Sequence, residues 1–340
     1  VAASFQSKYS AVFLGAGILL WLLLVPRLRA WFASPWPYAG GVVALLGMAP
    51  VIAWNISYGG ASFAKQFGRA VPKAFDPRFV PEFLAGQVAL LTPLIAILVA
   101  YGLAAAGRAV WRERDWGATL MLATTLPLTL YLVWYGLFDR VQGNWTACLL
   151  PASIVMAVMA PRWWQLTPRP SVMLAACARW SVVAGVLVGL FVTAHALFRV
   201  VPLAIDPTSQ LFGWRETVAE IEAVARREQA GSIGTVNYAT TGHLRFYGSG
   251  TLPMLQLSEP LRYVMEREPD ERLLATRPIL VAAEQRRAER AERVLVAAYG
   301  SVRRVETVER RWRGTPVDRL VLFLVADPRV AGRPDIGFVP

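Results

Sequence analysis

The sequence predicts a polytopic α-helical membrane protein, with about six transmembrane helices over residues 1–199, followed by a small soluble α/β domain over residues 200–340. Three observations predict it. Hydrophobic residues make up 55% of the 340 and charged residues only 17%, against roughly 25% charged in an ordinary soluble protein. Long, nearly uncharged apolar runs fill the first 199 residues and stop there. The charge divides at the same place: residues 1–199 carry 15 Lys/Arg and 5 Asp/Glu, whereas residues 200–340 carry 20 Arg and 18 Asp/Glu. A mean hydropathy of +0.42 excludes a disordered chain, which needs low hydrophobicity.

A membrane helix needs about 20 mostly apolar residues. Six runs qualify: Ser10 to Val25, Tyr38 to Trp54, Phe83 to Ala106, Gly117 to Phe138, Trp145 to Pro161 and Trp180 to Phe198. The first, second and fifth are short and rely on interfacial residues at their ends. Those residues are there. Trp31, Trp36, Tyr38, Trp54, Tyr58, Trp111, Trp116, Trp134, Tyr135, Trp145, Trp163, Trp164 and Trp180 all sit at or near run ends, which is an aromatic belt.

Orientation follows from basic residues in short loops. The loops after the first, third and fifth runs are short and dense in arginine: Arg27 and Arg29; Arg108, Arg112 and Arg114; Arg162 and Arg169. They are assigned to the cytoplasm of a cell inner (plasma) membrane protein. The 55–82 and 139–144 loops, and residues 200–340, then face outward.

The outward loops hold the polar residues. The first contains Asn55, Lys65, Gln66, Arg69, Lys73 and Arg78 among Trp54, Tyr58, Phe63 and Phe67. Gln87 lies inside the outer end of the third run, and Asp139-Arg140-Val141-Gln142-Gly143-Asn144-Trp145 makes a tight turn. Polar groups at membrane depth are costly and face a cavity or another helix. A basic, aromatic-edged cavity suits a phosphate head on a lipid tail. Blander readings compete. Lys73 and Arg78 suit non-specific contact with anionic headgroups. Lys8, at the head of an apolar run, suits snorkelling as well as a ligand role. Asn55-Ile56-Ser57 and Asn144-Trp145-Thr146 match a glycan acceptor pattern by coincidence.

From Pro202 the period changes. Helices are expected over Trp214 to Gln229, Ala239 to Tyr247 and Glu284 to Ala298. Strands are expected over Ser232 to Val236, Leu252 to Leu257, Pro278 to Ala283, Val302 to Val308 and Leu320 to Val325. The Arg/Glu mixture of 285–293 reads as a solvated face rather than a nucleic-acid patch. Cys148 and Cys177 read as buried free thiols, with no metal-ligand spacing. His195 and His243 show no evident partner.

Several stretches carry a family likeness. They are Ser7-Lys8-Tyr9-Ser10, then Pro50-Val51-Ile52-Ala53-Trp54-Asn55 with Gly60-Ala61-Ser62-Phe63 and Gln66. Phe83-Leu84-Ala85-Gly86-Gln87 with Leu91-Thr92-Pro93, and Val141-Gln142-Gly143-Asn144-Trp145 with Pro151, follow. Gly213-Trp214, Asn237-Tyr238 and Leu244-Arg245-Phe246-Tyr247 continue it. Over about residues 5–265 the sequence resembles bacterial polytopic glycosyltransferases of the protein O-mannosyltransferase and lipid A aminoarabinose transferase-like superfamily. The resemblance implies a GT-C fold, a polyprenyl-phosphate-linked sugar donor, and a lipid A, glycan or protein acceptor on the outer face. No cofactor is called for, and a divalent metal is left open. The family's base is an acidic residue of the first outer loop. The expectation is that this base lies upstream of Val1, in a part of the enzyme that precedes this sequence.

The remaining groups then divide by role. Lys8, Arg140, Lys65 and Arg69 are candidates for the donor phosphate. Asn55, Gln66, Gln87, Gln142 and Asn144 line a polar cavity, and Trp54, Phe63 and Trp145 stack on sugar or hold the prenyl chain. Two other functions stay open at this point. One is a transporter or flippase of an anionic lipid, although no internal repeat is visible. The other is a membrane-anchored binding protein acting through residues 200–340.

Overall fold

A computed structural model describes residues 1–70, 74–164, 168–201, 206–266, 271–330 and 336–337. The chain forms two compact units, Val1–Thr193 and Ala194–Pro340. The divide lies a few residues before the expected 199/200 boundary. The reason is local: the last turn carrying His195 and the following Arg199 both pair with Asp206.

The first unit is helical: α1 (Ala2–Ser7), α2 (Ala11–Leu24), α3 (Trp36–Leu46), α4 (Ala49–Ser57), α5 (Ala61–Ala70), α6 (Phe79–Leu91), α7 (Pro93–Arg108), α8 (Trp116–Tyr135), α9 (Leu150–Trp164) and α10 (Pro168–Phe198). Among the described residues five stretches are long and apolar enough to cross a membrane: Trp36–Ser57, Pro93–Glu113, Trp116–Tyr135, Gly143–Trp164 and Leu174–Phe198. A sixth is reached if α2 and the 3-10 turn Pro26–Ala33 count as one span bent by 108°. Pro26 ends α2, because it has no N–H to continue the helix.

The single span expected over 83–106 is two helices. Thr92 stands between them at φ 65, ψ 148. The ring of Pro93 crowds the preceding residue out of the helical region. The crossing stretch therefore starts at Pro93 and runs through a π turn to Glu113, and α6 is a separate apolar helix.

Small residues let these helices touch. A Cβ on Gly102 of α7 would fall 2.4 Å from Ala157 N of α9. A Cβ on Gly17 of α2 would fall 2.4 Å from Ala123 O of α8. That carbonyl lacks its helical donor, because the residue four later is Pro127. The glycine thus lets α2 come close to an orphaned acceptor that any larger residue would clash with. Without a hydrophobic drive between helices in lipid, close approach of this kind is what holds a bundle together.

The second unit comprises α11 (Trp214–Arg227), β1 (Ser232–Thr235), α12 (Tyr238–Tyr247), β2 (Met254–Gln256), α13 (Glu271–Thr276), β3 (Ile279–Glu284), α14 (Ala288–Ala298), β4 (Tyr299–Trp312) and β5 (Thr315–Pro328). The sheet runs β2-β1-β3-β5-β4. The first three are parallel, and β5 pairs antiparallel with both β3 and β4. Alternation along β3 sends Ile279, Val281 and Ala283 to one face and Leu280 and Ala282 to the other. The first set packs with Leu295 and Phe323, the second with Val218, Ile221 and Leu244. Both faces are covered, which is why β3 reads as one continuous apolar run. The closing strands extend well beyond the expected 302–308 and 320–325. They form a 14-residue hairpin on each side, turned at Arg313 and Gly314 with φ 48 and 80, as a tight two-residue hairpin turn requires.

Candidate functional site

The polar residues of the membrane unit gather in two clusters. The first joins the α1–α2 turn to α4 and α5. Asn55 is buried at the end of α4. Its Nδ2 donates to Val51 O (2.9 Å) and to the Tyr9 hydroxyl (3.3 Å). Its Oδ1 accepts from Ser62 Oγ (2.9 Å) and from the backbone N–H of Phe63 (3.1 Å). Phe63 is the third residue of α5, so Asn55 caps that helix from outside it, satisfying one of its orphan donors. Burial of this amide leaves no room for a glycan on the Asn55-Ile56-Ser57 pattern. Phe63 lies between the Tyr9 and Phe67 rings, at 5.7 and 6.1 Å, and Trp54 packs on Tyr58 at 4.8 Å.

The second cluster sets α6 against the turn after α8. Asp76 N–H donates to Leu137 O (2.8 Å), bringing the stretch before α6 alongside the turn after α8. Arg140 then meets Glu82, with Nε 2.7 Å from Oε1 and Nη2 3.2 Å from Oε2. Asp139 accepts from the Tyr135 hydroxyl (3.0 Å) and from Arg140 N–H (2.9 Å). Gln87 donates to Gly143 O (3.3 Å) and accepts from Thr146 Oγ1. Gln142 accepts from Trp145 Nε1 (3.1 Å), and the Trp145 ring meets Tyr135 at 5.5 Å. Trp145 packs on the apolar group of Phe83, Leu128, Leu132, Tyr135 and Val141. Phe13, one turn into α2, reaches the same group through Tyr131 at 5.2 Å.

The structure thus brings Arg140, Gln87, Gln142 and Trp145 together, and separately Asn55, Phe63 and Trp54. Asn144 is exposed in the same turn as Arg140, Lys8 is exposed after α1, and on α5 Lys65 is half-buried and Gln66 exposed. The side chain of Arg69 and all of Lys73 lie outside the described residues. Sequence reasoning missed Glu82, Tyr9, Ser62 and Thr146. Glu82 is the one whose signal was legible: it is one of only five acids in residues 1–199. Among the described residues no three His, Cys, Asp or Glu side chains group as a metal would require.

The thiols are free as read, but not buried: Cys148 is exposed and Cys177 half-buried. In the second unit both histidines have partners. His243 stacks on Trp214 at 4.3 Å, and burial followed by the charge of Arg310 holds it below the ordinary imidazole value. His195 Nε2 faces Asp206 Oδ1 at 3.3 Å. Asp206 also accepts from Thr208 N (2.8 Å) and Oγ1 (2.7 Å). Burial pushes its carboxyl up, but the Thr208 and His195 hydrogen bonds outweigh that and hold it below the usual range. The side chains of Arg290, Glu289, Glu292 and Arg293 are exposed, a solvated face on α14.

A model of the dolichyl-phosphate-mannose-protein mannosyltransferase family matches residues 1–54, which cover α1 to most of α4. No match was found among curated proteins or among solved structures. The match and the apolar helices together support a multi-pass membrane glycosyltransferase of the GT-C type.

Proposed function

We propose that this protein moves a sugar from a polyprenyl-phosphate-linked donor to a lipid A, glycan or protein acceptor at the outer face of the inner membrane, with residues 200–340 on that same side. The observation that carries the reading is the family match over residues 1–54, on a chain whose described residues hold five to six stretches long and apolar enough to cross a membrane. In the reaction the acceptor oxygen attacks the sugar's anomeric carbon and gives its proton to a general base. The bond from that carbon to the phosphate oxygen breaks, and the lipid phosphate leaves with the electron pair. Negative charge grows on the departing phosphate, where a positioned cation lowers the barrier most.

Arg140 is our choice for that cation. It sits on a turn held by Gln87, Gly143 and Thr146, and its partner Glu82 is partly exposed, so a phosphate can replace the carboxylate at the guanidinium fork. Gln142 and Asn144 offer hydrogen bonds beside it, and Trp145 offers a face for the sugar or prenyl chain. Lys8, Lys65, Arg69 and Gln66 are proposed as further contacts of the donor head. Asn55, Phe63 and Trp54 shape the first cluster. The test is transfer itself. Membranes carrying the full-length protein are given labelled polyprenyl-phosphate mannose or aminoarabinose, and label in lipid A, glycan and protein fractions is compared with membranes lacking it. Protein-dependent label in one fraction supports the reading. None in any fraction from either donor contradicts it.

A further inference from the structure

A cleft of about 510 Å³ opens at the far end of α2 and α8 from Arg140, between the bend after α2 and the start of α8. Val25, Pro26 and Trp116 form its apolar wall, and Arg27, Glu113 and Arg114 its charged one. Asp115 also lines it, but its Oδ1 caps α8 by accepting from Ala118 N at 2.8 Å. Trp116 is anchored: its carbonyl accepts from Trp21 Nε1 at 2.8 Å, and the Arg27 guanidinium lies 4.8 Å over its ring. Arg114 is set in place by a left-handed backbone, φ 50. Among the described residues no ion pair engages Arg27, Glu113 or Arg114. Two arginines and two carboxylates, Glu113 and the capping Asp115, thus share one cleft without pairing with each other.

The chemistry of the occupant follows. Two guanidinium forks match phosphate oxygens. Glu113 opposes a ligand that is only anionic and calls for a cation beside the phosphate. A carboxylate favours a cation that can donate hydrogen bonds, as a primary ammonium can and a trimethylammonium cannot. Leading away from the cleft along α2, Leu19, Leu20, Leu23 and Leu24 are exposed, an apolar track suited to acyl chains. We infer that this cleft binds the headgroup of a phosphoethanolamine lipid, as a site separate from any sugar donor.

The test uses the full-length protein in detergent, titrated with phosphatidylethanolamine, phosphatidylcholine and phosphatidylglycerol of matched chains, and with soluble O-phosphoethanolamine. Bound lipid is read by native mass spectrometry. The ethanolamine lipid is expected to bind about tenfold tighter than the other two, the worth of one charge-assisted hydrogen bond. Glu113→Gln should erase that preference while leaving choline-lipid binding unchanged. The double change Arg27→Gln/Arg114→Gln should weaken all three lipids. These side chains are exposed, so the variants keep the fold, checked by unchanged thermal unfolding. Equal or tighter glycerol-lipid binding in the wild type overturns the inference. So does a preference that survives Glu113→Gln, or soluble O-phosphoethanolamine binding as tightly as the lipid.

Discussion

Arg140 sets the edge of its guanidinium against both oxygens of Glu82, Nε to Oε1 at 2.7 Å and Nη2 to Oε2 at 3.2 Å. The two residues are 58 positions apart, Glu82 in α6 and Arg140 in the turn after α8. Both side chains are partly solvated, at 67% and 46%, so the pair adds only about 0–1 kcal/mol to stability. A cation held at so little cost to release is suited to exchange one oxyanion partner for another.

Asn55 is predicted to act through the fold. Asn55→Ala removes the cap on α5 and leaves buried partners unsatisfied, a loss of about 1–3 kcal/mol. Chemical unfolding in detergent measures it. A variant of unchanged stability that had lost donor binding would instead make Asn55 a ligand residue.

The α7–α9 contact is predicted to depend on one hydrogen atom. Gly102→Leu should destabilise by about 1–3 kcal/mol through overpacking against Ala157. Gly40→Ala on α3, where nothing lies within 4 Å, should be neutral or gain up to about 1 kcal/mol from helix propensity. Thermal unfolding of the two variants side by side separates a packing effect from a general intolerance of substitution.

Acid should loosen the segment after α10. The carboxyl of Asp206 is held below its ordinary value in the folded chain. Its contribution is therefore fully present above an unfolded value of about 3.9 and is lost as pH falls through the lower, folded one. Amide exchange at residues 206–212, referenced to the intrinsic rate at each pH, should lose protection below about pH 4. Asp206→Asn should lower protection at neutral pH and flatten its acid dependence.

Much of the architecture was legible in the sequence, because its signals are local. Apolar length marks the crossing helices, and the double-sided burial of Ile279 to Ala283 marks the central strand. What escaped depends on single backbone events or distant partners. Pro93 splits a run whose composition is continuous, and only the geometry at Thr92 reveals it. The full length of the β4–β5 hairpin was hidden because residues beyond the expected strands, Glu309, Arg310, Arg311 and Arg319 among them, are polar and carry no apolar alternation. In the candidate site, Gln87, Arg140, Gln142 and Trp145 were singled out by residue type. Type alone does not separate them from Asn55, whose amide is consumed by Tyr9, Val51, Ser62 and Phe63. Glu82 stood out only as one of five acids in residues 1–199, with nothing to mark its partner 58 residues away, and Asp206 was passed over because a partner 11 residues away leaves no periodic trace.

The central claim is that Arg140 receives the departing lipid phosphate. The measurement is donor affinity and kcat/KM for Arg140→Ala in the full-length protein, with Glu82→Gln as its companion. The account predicts a fall of about 10²-fold in kcat/KM for Arg140→Ala, with weakened donor binding and nearly unchanged stability. For Glu82→Gln, which frees the guanidinium, it predicts donor binding equal to or tighter than wild type. Donor affinity left unchanged by Arg140→Ala would contradict it.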